Sequence, residues 1–282
     1  MSRGITQAAC NRSLHTTHAV CDGHKSSITF ACMGFDELVG KAQETRFDGW
    51  DFGVFGDRLS ETDPSWSYRD LVVGAAASAT RILDMGTGGG EFLASVLPVA
   101  ARVYATEGYA PNVPVARRRL EPLGVEVSET YTDDNEELPY EDGRFDLVVN
   151  RHESFDADEL RRVTAPGGRF LTQQVGGSYM ADLNDLLGAA QPPYAGWDRD
   201  AAVASLEAGG FEIVESGEEF GECVFADIGA VVMYLRLVPW QVEGFSVDVY
   251  REALKGLHER MERDDGMTLR NHFFFVNAVR PR

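Results

Sequence analysis

Positive charge is scarce in this sequence. Its 282 residues include 26 Lys and Arg against 45 Asp and Glu, which gives a formal net charge of −19 and a pI of about 4.7. Such a surface repels phosphate backbones, and non-specific affinity for nucleic acids is mostly electrostatic. The balance therefore argues against a nucleic-acid partner, although a local basic patch would still permit one.

Long apolar runs and a cysteine framework are also missing. No uninterrupted apolar run of about 18 residues occurs, so the sequence predicts no membrane span. Three of the 4 cysteines lie in the first 32 residues, and only Cys223 lies in the body of the chain. This distribution is not a disulfide framework, and we expect a soluble protein of the reducing cytoplasm.

Residues 1–32 have no apolar periodicity. They contain three Cys and three His, but paired Cys-x-x-Cys ligands at zinc-finger spacing are missing. The segment also lacks the apolar core of a signal peptide. We interpret residues 1–32 as a disordered leader without a metal site, and Met33 as an alternative start.

Two segments outside the central part of the chain have their own patterns. Residues 33–80 contain helical spacing from Phe35 onward and a second predicted helix at Ser67–Thr80, so they predict an N-terminal helical cap. Residues 81–282 form the main predicted domain. Within it, residues 217–270 exceed a usual connection, so we expect a lid-like insertion with structure of its own.

Short apolar strands alternate with helices in the main domain. The predicted strands are Arg81–Met85, Arg102–Thr106, Val125–Ser128, Phe145–Val149, Arg169–Val175, Phe211–Ser216 and His272–Val279. Alternation of this kind implies right-handed crossovers and a parallel sheet that is covered on both faces. The pattern therefore predicts an α/β fold.

A glycine-rich turn between the first of these strands and a helix is the strongest motif. It reads Asp84-Met-Gly86-Thr-Gly88-Gly-Gly90-Glu91. Glycines let the chain turn sharply and let a ligand approach the backbone. A dinucleotide-binding turn would need a third glycine where Glu91 stands, and the chain has no G-x-x-x-x-G-K-[ST] phosphate loop. Both nucleotide sites are therefore poor matches.

The turn resembles motif I of the class I S-adenosylmethionine-dependent methyltransferases. That motif, E/D-x-G-x-G-x-G, is met by Asp84, Gly86, Gly88 and Gly90. The resemblance implies S-adenosylmethionine as the cofactor, which carries an ammonium, a carboxylate and a sulfonium but no phosphate. An acidic residue at the strand end can pair with the ammonium, directly or through water, and backbone N–H groups can meet the carboxylate.

Further segments match the family in the same order. Glu107 ends the second strand 23 residues after Asp84, where the family places an acidic residue on the ribose hydroxyls. The segment that begins at Asp134 resembles the family's D-x-E-x-L-P-F, which implies that Asp134 accepts from the adenine amino group and that Asn135 offers its backbone N–H. Asp133 is an alternative for the role of Asp134.

The resemblance covers about residues 80–176, because the fourth strand and the Pro-Gly-Gly entry to the fifth also match. It implies a Rossmann-like, doubly wound and mostly parallel seven-stranded sheet, with an antiparallel last strand and helices on both faces.

Candidates for the chemistry follow the fourth and fifth strands, whose carboxyl ends border the site in such sheets. Asn150 is expected to bind the methionine carboxylate or the acceptor. His152 is the candidate general base, with acceptor positioning and a structural hydrogen bond as alternatives. Gln173 and Gln174 are candidate acceptor contacts, although one of two adjacent strand residues points away from the site.

The sequence thus predicts a methyltransferase that acts on a small-molecule acceptor. The acidic surface, the long insertion and the lack of an added RNA-binding domain favour this class. An RNA methyltransferase and a cofactor-binding module without turnover are the alternatives. The acceptor atom and the oligomeric state are not predicted.

Overall fold

The computed structural model describes residues 33–47, 52–130 and 137–282. Its helices are α1 Phe35–Glu44, α2 Tyr68–Ala76, α3 Glu91–Val96, α4 Val113–Leu120, α5 Ala157–Val163, α6 Ala181–Leu187, α7 Arg199–Ala208, α8 Ile228–Leu237 and α9 Arg251–Asp264. Its strands are β1 Leu59–Glu61, β2 Arg81–Met85, β3 Arg102–Glu107, β4 Glu126–Glu129, β5 Phe145–Arg151, β6 Thr164–Val175, β7 Glu212–Phe225 and β8 Met267–Val279. The predicted leader at residues 1–32 lies outside the described residues.

One sheet has the order β1-β7-β8-β6-β5-β2-β3-β4. Strands β4, β3, β2, β5 and β6 are parallel, and β8 runs antiparallel to both β6 and β7. The predicted Rossmann-like, mostly parallel α/β sheet and its antiparallel last strand are therefore confirmed.

Helices cover both faces of this sheet, as predicted. Successive residues of β2 point to opposite faces, so Ile82 packs in one apolar cluster and Leu83 in another. The first cluster includes residues of α2, α3 and α4, and the second includes residues of α5 and α7.

The predicted number of seven strands is wrong, because the described residues contain eight in this sheet. The additional strand, β1, pairs antiparallel with the end of β7, from Leu59 opposite Phe225 to Glu61 opposite Cys223. Its sequence, Leu-Ser-Glu, is too short to show an alternating pattern. Strand β1 forms because β7 extends far enough to offer it an open edge.

Strands β7 and β8 are both longer than the apolar pattern predicts. Residues 217–225 and 267–270, which fall in the predicted insertion, continue the two strands, and α8 and α9 lie between them. The sequence of 217–222 is mainly Gly and Glu, so it carries no strand signal of its own. Its pairing with the Phe-rich β8 holds it extended, for example with Glu218 opposite Phe274.

The first part of the cap packs against the segment between β7 and β8. Leu38 and Val39 of α1 share one buried cluster with Phe55, with Val231 of α8 and with Leu254 of α9. Helix α2, by contrast, packs on the sheet. The cap segment therefore has two halves, and Trp66, which lies between them, reaches the carboxyl end of β6 through a hydrogen bond to Gln173. None of the helices in the described ranges is long and apolar enough to cross a membrane.

Candidate functional site

The glycine-rich turn lies between β2 and α3 and has one open position. Gly86, Gly88 and Gly90 have φ values of 65°, 62° and 80°, in the left-handed region that favours glycine. A Cβ on Gly86 would lie 2.5 Å from Oε2 of Glu153, and one on Gly90 would lie 2.8 Å from Cγ of Leu120. A Cβ on Gly88 would have no described heavy atom within 4 Å. A ligand can therefore approach the backbone at Gly88.

Two buried carboxyl groups lie beside this turn. Asp84 of β2 is 3% exposed, and Glu107 at the end of β3 is fully buried, with Oε1 accepting from the backbone N–H of Tyr109 at 2.8 Å. Burial and the charge of Glu107 raise the pKa of Asp84 to about 7, while the nearby side chain of Thr87 and the charge of Arg151 act against the rise. The structure thus brings Asp84, Glu107 and the glycines together. A positive charge on a ligand at this position would stabilise the ionised forms of the two carboxyl groups.

The residues predicted to bind adenine are not among those that the structure describes. Asp133, Asp134 and Asn135 fall in the gap between residues 130 and 137. Their assignments stay predictions.

Asn150 of β5 is at the centre of a buried polar network. Its Oδ1 accepts from Oγ1 of Thr172 at 2.9 Å and from Nε2 of Gln174 at 2.7 Å. Its Nδ2 is buried and has no hydrogen-bond partner within the described ranges. Because a buried donor without a partner is costly, Nδ2 is a candidate ligand-binding atom.

His152 is buried behind the end of β5. Its backbone is left-handed, with φ 64°, and its N–H donates to the carbonyl oxygen of Gln173 at 2.8 Å. Its ring lies 6.2 Å from that of Phe273. Burial lowers the pKa of His152 well below its usual value, and the charge of Arg151 acts in the same direction. His152 is therefore a neutral, weakly basic imidazole, and its role as a general base stays a prediction.

A cavity of about 390 Å³ lies between the cap and the carboxyl ends of β5 and β6. Aromatic side chains form much of its wall: Phe52, Phe55, Trp66, Tyr68, Phe92 and Tyr179. Its other principal polar and charged lining residues are Glu61, Asp63, Arg69, Arg151, Gln173 and Cys223. Phe92 lies in the first turn of α3, so the cavity reaches the helix that follows the glycine-rich turn.

The two predicted glutamines lie in different surroundings. Gln173 lines the cavity and accepts from Nε1 of Trp66 at 2.9 Å, whereas Gln174 belongs to the network around Asn150. The alternation of side chains along β6 accounts for this difference.

Sequence reasoning missed Tyr68 as a residue of the site. Its hydroxyl donates to the carbonyl oxygen of Asn150 at 2.8 Å and accepts from the backbone N–H of the same residue at 3.1 Å. Tyr68 thereby anchors α2 to the end of β5. Helical spacing placed Tyr68 in a helix but gave no signal that its hydroxyl reaches a strand.

Comparison with known proteins adds a family match for the central part of the chain. Residues 83–172 match the family model described as a methyltransferase domain. This range extends from the last three residues of β2 to most of β6 and includes the glycine-rich turn, Glu107, Asn150 and His152. A search of curated protein sequences finds no match.

Several solved structures share the fold at low sequence identity. A protein provisionally named a methyltransferase, from Bacillus halodurans C-125, is 19% identical with a TM-score of 0.57, covering 77% of this chain and 99% of the other. A protein of unknown function from Deinococcus radiodurans R1 is 20% identical with a TM-score of 0.56, at 79% and 90% coverage. The YcgJ protein of Bacillus subtilis is 15% identical with a TM-score of 0.53, at 76% and 98% coverage. These similarities establish the Rossmann-like fold.

Proposed function

Because residues 83–172 match a methyltransferase-domain family model and the fold is Rossmann-like, we propose that the chain is a class I methyltransferase that transfers a methyl group from S-adenosylmethionine to a small molecule. The observation that carries the proposal is the cavity of about 390 Å³ that lies between the cap, the ends of β5 and β6, and the start of α3. Its volume falls in the range of small-molecule sites, which are about 300–1,000 Å³. The cap and the sheet ends form its walls, so a small acceptor fits better than a polymer.

The described residues suit the proposed cofactor. The backbone is open at Gly88, and Asn150 offers a buried Nδ2 without a partner in the described part of the chain. The cofactor's positively charged end would lie near Asp84, and Glu107, at the end of β3, would bind the ribose hydroxyls. Asp134 and Asn135 remain the proposed adenine contacts.

When bound, S-adenosylmethionine supplies a methyl group on a sulfonium, whose departure leaves a neutral thioether. The protein's main tasks are therefore to align the acceptor and to exclude water. The aromatic side chains of the wall would shield a bound acceptor from water on that side of the cavity. Gln173, whose Oε1 is fixed by Trp66, offers its Nε2 hydrogens to a polar group of the acceptor. Where the acceptor must lose a proton, Glu61 on the cavity wall is placed to receive it, while His152 does not line the cavity.

Binding and transfer are tested separately. Calorimetry should show binding of S-adenosylhomocysteine, and incubation with methyl-labelled cofactor and a cell extract should place label in a low-mass product. Glu107→Gln should weaken binding strongly. The exposed Glu126, which is paired with Arg102 on the neighbouring β3, provides Glu126→Gln as a matched control.

Each result excludes one class of function. Label found only in RNA or in protein would overturn the small-molecule acceptor. Binding without any methylated product would favour a binding module. No affinity for either form of the cofactor would overturn the proposal as a whole.

A further inference from the structure

Glu153 lies directly on the glycine-rich turn. Strand β5 ends at Arg151, and the left-handed backbone of His152 turns the chain before Glu153, which is 8% exposed. A Cβ on Gly86 would lie 2.5 Å from Oε2 of Glu153 and 2.7 Å from its Cβ and Cγ. The whole side chain, carboxylate included, therefore covers the first glycine of the turn.

The network around Gln174 fixes the backbone of Glu153. Nε2 of Gln174 donates to the carbonyl oxygen of Glu153 at 2.9 Å and to Oδ1 of Asn150 at 2.7 Å. A backbone carbonyl can only accept, so the amide of Gln174 must present its nitrogen there. Because the same nitrogen also donates to Asn150, the Asn150 atom that faces it must be Oδ1. Nδ2 of Asn150 therefore points away from the network.

Asn150 and Glu153 therefore present complementary groups at neighbouring positions. Asn150 pairs in the sheet with Met85, the residue immediately before Gly86. Nδ2 of Asn150 is a buried donor without a partner in the described ranges, and the carboxyl group of Glu153 offers acceptor oxygens. An α-amino acid needs this combination, because its carboxylate accepts and its ammonium donates.

We propose that Glu153 binds the α-ammonium of the cofactor's amino-acid moiety, while Nδ2 of Asn150 binds its α-carboxylate. The inference rests on the proposed function, and it assigns to Glu153 a contact that motif I alone suggests for Asp84. Asp84 is buried in β2 with its carboxyl group near Thr87, whereas the Glu153 carboxylate covers the turn itself.

Removal of the ammonium from the ligand isolates this contact. Affinities of the wild type and of Glu153→Gln are measured by calorimetry for S-adenosylhomocysteine and for its deaminated analogue, S-adenosyl-4-thiobutyrate. Glu153→Gln should lower the affinity for S-adenosylhomocysteine by roughly 10- to 100-fold, the usual effect of a hydrogen bond to a charged group. Its affinity for the deaminated analogue should stay unchanged.

Glu91 provides the matched control. Its carboxylate lies on the outer side of the same turn, near Gly89, and pairs with Arg119. Glu91→Gln removes the same charge and should leave both affinities unchanged. Urea unfolding of each variant shows whether a loss of affinity follows from a loss of stability.

The outcomes separate the inference from the proposed function. Equal losses for both ligands in Glu153→Gln would show that the side chain only supports the turn, and the inference would be overturned. Unchanged or tighter binding of S-adenosylhomocysteine would overturn it too, because the carboxylate would then oppose the ligand. Wild-type protein that binds neither ligand would overturn the proposed function itself.

Discussion

The indole N–H of Trp66 donates a hydrogen bond of 2.9 Å to Oε1 of Gln173, which joins the cap to the carboxyl end of β6. The indole ring also packs against Phe275 of β8, with ring centroids 5.0 Å apart. Trp66 thus contacts two neighbouring strands, and Gln173 is held on the cavity wall. The position of the proposed acceptor contact therefore depends on how the cap docks.

Trp66→Phe tests this dependence. The change removes the donor and leaves Oε1 of Gln173 without its partner at a residue that is only 6% exposed. An unsatisfied buried acceptor costs about 1–3 kcal/mol, so the free energy of unfolding in urea should fall by that amount. Affinity for S-adenosylhomocysteine should stay close to that of the wild type.

Gln173→Met, alone and combined with Trp66→Phe, provides the control. The double variant should lose less stability than the sum of the single variants, because no buried oxygen is left without a donor. Additive losses would contradict the role given to this hydrogen bond.

Asp84 predicts a pH dependence of stability. Its pKa of about 7 in the folded protein, raised first by burial, exceeds the ordinary value of 3.8. Between these two values the folded state binds a proton more tightly than the unfolded state, so stability falls as the pH rises from about 4 to 7. The full difference corresponds to at most about 4 kcal/mol. In urea unfolding at pH 5 and pH 8, Asp84→Asn should gain stability relative to the wild type at the higher pH. An equal difference at both pH values would contradict this assignment.

The same group predicts proton release on ligand binding. Without a ligand, the charge of Glu107 opposes ionisation of Asp84 and the charge of Arg151 supports it. A positive charge on the amino-acid end of the ligand should further favour the ionised form of Asp84. Binding of S-adenosylhomocysteine at pH 6 should therefore release close to one proton. Calorimetry in buffers of different ionisation enthalpy counts that proton, and Asp84→Asn should abolish its release. Release that persists in the variant would assign the proton to another group.

The sequence was sufficient to predict the part of the fold that carries strong local signals. The turn from Asp84 to Glu91 combines a buried strand, clustered glycines and a helix start, and each signal is local. Strand β1 could not be predicted in the same way, because its three residues become a strand only through the distant edge of β7. The same holds for residues 217–222, which are extended because of β8.

The same distinction between local signals and long-range contacts applies to the residues of the candidate site. The positions of Asp84 and Glu107 beside the turn could be predicted because each lies at or next to the end of a recognisable strand, and their ligand contacts stay predictions. The position of Glu153 over Gly86 depends on the left-handed backbone of His152, a non-glycine residue whose conformation no local pattern indicates. The separation of Gln173 from Gln174 follows from strand alternation, but the partner of each depends on the docking of the cap.

Alanine substitutions at Gly88 and at Gly90 should affect different properties, the first ligand affinity and the second stability. Both have positive φ, so an alanine at either position is strained, at a cost of about 1 kcal/mol. Gly90→Ala would also place its Cβ against Leu120 and should lose more stability, whereas Gly88→Ala meets no described atom. Gly88→Ala should instead lose affinity for S-adenosylhomocysteine, because the methyl group enters the open space. Urea unfolding and calorimetry on both variants check the contrast, and equal losses of affinity would contradict the placement of the ligand at Gly88.

The ion pair between Arg58 and Asp227 connects the cap to the segment between β7 and β8, so we expect its removal to lower the free energy of unfolding. Nε of Arg58 donates to Oδ2 of Asp227 at 2.7 Å, and the side chains are only 18% and 11% exposed. Asp227 also caps α8 by accepting from the backbone N–H of Ala230 at 3.1 Å. Removal of one member of a buried ion pair leaves the other charge without compensation, which costs about 3–5 kcal/mol. Arg58→Met should therefore lower the free energy of unfolding by an amount towards that range.

The double variant Arg58→Met/Asp227→Asn distinguishes the ion pair from simple packing. Asparagine keeps the cap on α8 because its side-chain oxygen still accepts, and it removes the charge that Arg58→Met leaves buried. The double variant should therefore recover part of the stability that Arg58→Met loses. Because the pair lies between the cap and α8, Arg58→Met should also make the aromatic wall of the cavity more accessible, seen as faster acrylamide quenching of tryptophan fluorescence. A double variant less stable than Arg58→Met, with quenching equal to that of the wild type, would show that the ion pair does not hold the cap in place.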